Sequence, residues 1–342
     1  MKSKLLLSVL FTLLMTNNLL SQNTALFNRF QDSIVFYENK LKLSVPEEER
    51  KAADKKILAF IAKAARQQKS MDYGFDSLNI VSVLTSGDKM LRIFTWMIPY
   101  DNGRYGYNGL IQAYNKNKKK YSVVYLYDFT ERITQPMKKL LSPKKWYGAR
   151  YYKLITKKYR GRRYYTVLGW KGIDPTITAK VVDVIDVKSN GKIVFGYNLF
   201  YLEKYNYFEK YRRPKRLVYK YSAKASMNLR YEKQTVLKLV KKSKLKSTPI
   251  TRSFKSQKKE VRTKPKYKKI VANMIVMDQL MPLNKSMTGF YQFYIPKVNV
   301  VDALVFEKGK WKYYKDIDAR NEGKSPERKD VIDYELFEEE DE

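Results

Sequence analysis

The chemistry open to this chain is that of carboxylates, hydroxyls and amines, because its 342 residues include no histidine and no cysteine. That excludes a Ser-His-Asp triad, a thiolate nucleophile, an imidazole base, a disulfide and the usual zinc ligand sets. A pair of acids alone can hydrolyse glycosides, so an extracytoplasmic hydrolase using carboxylates or a metal ion is the alternative functional reading. The acids give it little. Asp183 and Asp186 stand three apart in a strand-like run, which puts them on opposite faces. Asp316 and Asp318, with Asn321, share a face after a strand and offer oxygen ligands. The simpler reading is a solvated turn whose acids pair with Arg320 or nearby lysines. Ser142 and Lys145 have a serine-lysine acyltransferase spacing, but without companion motifs in a lysine-rich chain this reads as chance. No catalytic residue, cofactor or metal centre is predicted.

The basic residues are the stronger signal. Lys and Arg number 69 against 34 acids, a formal net charge of +35. Residues 236–269 hold fourteen of these bases and one acid, Glu260. Lys241, Lys242, Lys244, Lys246, Arg252, Lys255, Lys258, Lys259, Arg262, Lys264 and Lys266 are therefore the predicted anion-binding residues. Such a surplus attracts polyanions. Expected partners are lipopolysaccharide, anionic polysaccharide, an envelope surface, nucleic acid or an acidic protein.

The chain around that run predicts a folded, mainly β protein with a small α part. Residues 1–22 read as a secretory signal peptide: Lys2 and Lys4, then an apolar run from Leu5 to Met15, then Ser21. The protein is thus expected in the periplasm, at the outer-membrane periphery or on the cell surface, with a mature charge of +33. No later stretch is apolar enough for a membrane helix. Residues 23–70 predict a helical hairpin. Phe27, Phe30, Ile34, Tyr37 and Leu41 form one stripe, and Ala53, Ile57, Phe60, Ile61 and Ala64 form another. Ser44 is read as the cap of the second helix, ahead of Pro46 and Glu47.

From 78 to 321 the period becomes two, which predicts an antiparallel β-meander in the form of a barrel, sandwich or propeller-like array. Five hairpins are expected around Ser86-Gly87-Asp88, 115–118, Arg160-Gly161, Asn190-Gly191 and Lys308-Gly309. Strands are read at 217–231 and 270–280, with the basic excursion 236–269 between them. Trp146, Tyr147, Tyr151, Tyr152, Tyr164, Tyr165 and Trp170 suit core and cross-strand packing better than an exposed stacking platform. Residues 322–342 end in an acidic tail expected to be disordered; 330–342 alone hold eight acids and no base.

Several stretches also resemble an uncharacterised family of exported, signal-peptide-bearing proteins of Bacteroidota. They are Arg92-Ile93-Phe94-Thr95-Trp96, Leu141 to Ala149, Tyr151-Tyr152-Lys153, Tyr164 to Trp170, Tyr221-Ser222-Ala223, Tyr291 to Tyr294, Gly309-Lys310-Trp311 and Asp316 to Asn321. The Leu20-Ser21-Gln22 ending suits the same group. The resemblance implies export and brings no activity with it. Where the family has a more acidic turn after the tryptophan, this chain reads Lys171-Gly172-Ile173-Asp174.

Overall fold

The structure is a computed structural model that describes residues 24–202, 213–241, 266–315 and 317. The signal-peptide, acidic-tail and Asp316/Asp318/Asn321 readings fall outside the described residues.

Two helices open the described chain, α1 (24–43) and α2 (Glu47–Ala65). Their apolar stripes meet as the spacing requires. Phe27, Ile34 and Leu41 of α1 and Ala53, Ile57, Ile61 and Ala64 of α2 are buried, with Phe30, Tyr37 and Phe60 packed at the margin. Ser44 does not cap α2. Its amide donates to the Lys40 carbonyl at 2.9 Å, so it closes the end of α1 instead. Pro46 is the N-cap, with extended backbone and no capping side chain, and Glu47, Glu48 and Glu49 supply first-turn charge that favours the helix dipole. Buried Arg50 secures the link, donating to the carbonyls of Ser44 (3.1 Å) and Val45 and to Pro99 (3.1 Å) across the sheet.

The strands follow as a meander in three sheets. The first has the order β1 (Ser82–Thr85), β2 (Leu91–Pro99), β3 (Tyr105–Asn115), β4 (Lys120–Tyr127). The second runs β10 (Leu217–Ser222), β7 (Ile177–Val187), β6 (Arg162–Gly172), β5 (Arg150–Tyr159), with β8 (Ile193–Phe195) paired to β7. The third is β11 (Leu229–Lys241), β12 (Lys266–Pro282), β13 (Tyr294–Glu307), β14 (Lys310–Tyr314), β9 (Phe200–Tyr201). Among the described strands only the β14–β9 pairing is parallel; a single parallel bridge also joins Asp128 to Trp146. All five expected hairpins form. In two of them, Arg160-Gly161 and Lys308-Gly309, both turn residues have positive φ, the left-handed geometry that matches strand twist.

Alternation along β2 explains the layering. Phe94, Trp96 and Ile98 face the helices, while Ile93 faces a larger core. That core draws on all three sheets: Ile93 and Tyr107 from the first, Val167 and Val182 from the second, Ile275, Leu304 and Trp311 from the third. Trp146, Tyr147, Tyr151 and Tyr165 are buried in it, and Tyr152, Tyr164 and Trp170 are half-buried, so the aromatic cluster is packing. Trp146 donates to the Tyr151 hydroxyl at 3.0 Å and Trp311 to the Thr166 hydroxyl at 3.0 Å, which satisfies both buried indoles.

The stretch 217–231 is not one strand. It divides at a turn where Ala225 bonds back to Ser222 (3.0 Å) and Asn228 to the Asp278 carboxylate (2.8 Å), and the halves enter different sheets. The strands also run further into 236–269 than its charge suggests. Pairing continues from Val236↔Ile270 to Lys241↔Lys266, since aliphatic and aromatic strand formers are threaded among the lysines there.

Candidate anion-binding end

In an up-and-down meander alternate connections lie at the same end. The turns β1–β2, β3–β4, β5–β6, β7–β8 and β13–β14 therefore gather at one pole, and side chains tie them together. The Asn115 amide donates to the Asn190 carbonyl at 2.8 Å, and the Asn117 N–H to Ser189 at 3.3 Å. Arg163 reaches Asp88 at 2.7 Å, Arg162 reaches Asp186 at 3.0 Å, and Gly309 lies against the Tyr159 ring.

This pole is strongly basic. Segments 86–90, 115–120, 157–163, 186–192 and 307–312 together hold fifteen Lys/Arg and only three acids. Each of the three acids is engaged. Asp88 takes Arg163 and the Tyr165 hydroxyl (3.0 Å), Asp186 takes Arg162 and Lys188 (2.6 Å), and Glu307 takes Lys312 (3.3 Å). The acids therefore position a minority of the bases. Arg162 is held further by the rings of Tyr197 at 4.6 Å and Tyr164 at 5.6 Å.

Beside Tyr197 the cations crowd. The Lys215 ammonium donates to the Asn198 side-chain oxygen at 2.6 Å, and Lys310 donates to the Asn198 carbonyl. Burial, then the charges of Arg213 and Lys215, push the Lys310 pKa down. A bound anion would relieve that repulsion, and a row of such cations suits a polymer of sulfate, phosphate or carboxylate groups.

Two of the predicted anion-binding residues, Lys241 and Lys266, are placed relative to this pole. Lys241 ends β11 and Lys266 begins β12, paired with each other. The register Ile275↔Leu304 places the earlier part of β12 beside the β13–β14 turn and beyond it. The basic segment thus leaves and re-enters at the basic end. Lys242, Lys244, Lys246, Arg252, Lys255, Lys258, Lys259, Arg262 and Lys264 lie outside the described residues. Sequence reasoning missed the turn bases Lys116, Lys118, Lys119, Arg160, Arg163 and Lys308. Their signal was present, since three of the five recognised turns, 115–118, Arg160-Gly161 and Lys308-Gly309, carry bases, and alternation of ends would have grouped them.

The carboxylates offer less. Asp183 is fully buried against Arg216 and Asp186 is ion-paired, so the two do not act together. Ser142 precedes a short 3₁₀ turn, Pro143–Lys145, and its carbonyl accepts the Lys145 N–H at 2.9 Å; this is local turn geometry. Among the described residues no three acids gather to hold a metal ion, and no helix is long and apolar enough to cross a membrane. No family model, curated protein or solved structure matches the chain.

Proposed function

We propose that this is an exported, non-enzymatic, envelope-associated binding protein that holds anionic polymers on its basic pole. The observation that carries the reading is the gathering of basic turns at one end, with their few acids already paired. The bases of 242–264 would add to the positive charge available to such a polymer. Lipopolysaccharide, anionic polysaccharide and released nucleic acid share the repeated anionic group this surface suits. The signal-peptide pattern supplies the location: intact-mass measurement of the host-made protein is expected to give a start near Gln22, and a full-length sole product would refute export.

Salt-gradient elution from immobilised heparin tests the binding. Polyanion binding releases counterions, so log affinity falls linearly with log salt by ~0.7–0.9 per anionic contact. The variant K116Q/K118Q/K119Q/R160Q/K308Q is expected to lower that slope by about 3.5–4.5 if all five contribute. Deleting 242–264 should lower it further. Retention unchanged in both variants would overturn the proposal.

A further inference from the structure

The opposite pole carries a different surface. There the β2–β3 turn packs on the β6–β7 turn through Gly103 and Pro175, Ala223 donates to the Thr176 carbonyl at 2.8 Å, and Lys220 lies 5.3 Å from the centre of the Tyr291 ring. Tyr291 belongs to the β12–β13 connection, 283–293. This loop satisfies much of its own backbone. Leu283 N–H donates to Phe293 (3.0 Å), Phe290 to Met287 (3.0 Å), Met287 to the Asn284 side chain (3.2 Å) and Gly289 to the Tyr294 hydroxyl (3.1 Å).

With its backbone turned inward, the loop shows apolar side chains to the outside. Phe290 is 56% exposed and Leu283 48%, with Met281 and Phe293 beside them at 38% and 37%. Such a patch on an ordered loop marks an interaction site. Its charge names the partner. No acid occurs between Asp278 and Asp302. Those two are buried and engaged, Asp278 by the Asn228 amide groups and Asp302 by the Tyr313 hydroxyl at 2.5 Å. Lys285 in the loop and Lys297 on the β13 strand that follows it stand exposed. Two copies meeting through this loop would bring their lysines together. An anionic bilayer instead takes the apolar tips at the acyl boundary and the ammonium groups at the headgroup phosphates. The self-bonded backbone makes shallow insertion inexpensive, because few N–H and C=O groups lose water.

We propose that the 283–293 loop docks the protein on an anionic lipid surface, inserting Leu283, Phe290 and Phe293. This surface is distinct from the basic pole, so the two proposals fail separately.

The test is sedimentation of the host-made protein with phosphatidylglycerol-containing vesicles at low salt and at about 0.5 M salt, where the Debye length of about 4 Å suppresses binding by the basic pole. Salt-resistant binding is expected for the wild type and for the five-residue turn variant. It is expected to fall at least about tenfold in L283N/F290N/F293N, whose heparin elution stays unchanged. In Phe290→Trp, brominated acyl chains should quench the added emission. Unaltered vesicle binding by the triple variant, or no quenching, would overturn the proposal. So would a change of oligomeric state in the triple variant by light scattering without lipid, which would assign the patch to a second copy.

Discussion

Asp183→Leu is expected to destabilise the protein by about 3–5 kcal/mol, the range for removing one member of a buried ion pair. Asp183 lies in β7 and Arg216 just before β10, and both side chains are fully buried, 2.9 Å apart. Arg216 also donates to the carbonyls of Pro136 and Lys139, the latter at 2.9 Å, so one guanidinium pins the β4–β5 connection to the second sheet. Its remaining nitrogen, Nη2, has no hydrogen-bond partner. The two partners differ in what they leave behind. A guanidinium cannot shed its proton, so Asp183→Leu strands a permanent buried charge. Arg216→Met strands a carboxyl group that can neutralise by binding a proton. Burial already works to raise the Asp183 pKa against the pull of Arg216, and loss of that cation raises it further. A raised acid favours the folded state as pH falls, because the folded chain then binds more protons than the unfolded one. The Arg216→Met deficit is therefore expected to shrink between pH 8 and pH 5, while the Asp183→Leu deficit does not. Denaturant unfolding at both pH values measures this. An Asp183→Leu variant within about 1 kcal/mol of wild type would refute the assignment.

That pair also shows where sequence reading stops. The five hairpins were legible because each rests on a few adjacent residues, Arg160-Gly161 and Lys308-Gly309 among them. The helix stripes were legible for the same local reason. The start of α2 was misplaced because Ser44 has the chemistry of a cap, and only the Ser44–Lys40 hydrogen bond shows that the first helix still claims it. Asp183 and Arg216 are 33 residues apart, and nothing local announces that they meet. The two-residue β9 is a strand only because β14 lies beside it. The candidate site divides along the same line. A run of bases is visible as composition, so 236–269 stood out. The turn bases are dispersed along the chain from Lys116 to Lys308 and become one surface only when the meander alternates its ends. β6 runs on past Trp170 to Gly172 and carries Lys171 into the interior, which the run of residues after Trp170 does not announce.

Lys171 yields the last expectation, a stability that climbs on the alkaline side of neutrality. Its side chain is 1% exposed. The nitrogen donates to the Thr130 hydroxyl at 2.8 Å and the Gly148 carbonyl at 2.6 Å, and lies 4.4 Å and 4.7 Å from the Tyr107 and Tyr147 ring centres. Burial pushes its pKa down from 10.5 to about 8, against the opposing charge of Asp128. Between those values the unfolded chain holds a proton that the folded chain has released. Unfolding free energy therefore rises with pH across this window, by about 3 kcal/mol for a shift of this size. Burial lowers Lys180 and Lys220 too, which adds to the rise. The tyrosines set its upper limit. Burial lifts Tyr221 from 10.0 to about 12, so above pH 10 the unfolded chain loses protons first and stability falls. The maximum is expected near pH 10. Lys171→Met keeps a stem of similar length and removes the titration. It also leaves the Gly148 carbonyl without its donor, a cost of about 1–3 kcal/mol, comparable to the cost the wild type bears at pH 7 by keeping a charge buried. The variant should thus lie close to wild type at pH 7 and fall behind it by pH 9.5, with a shallower slope between. Parallel unfolding curves for the two proteins across that range would show that Lys171 stays charged in its cage, and the assignment would fail.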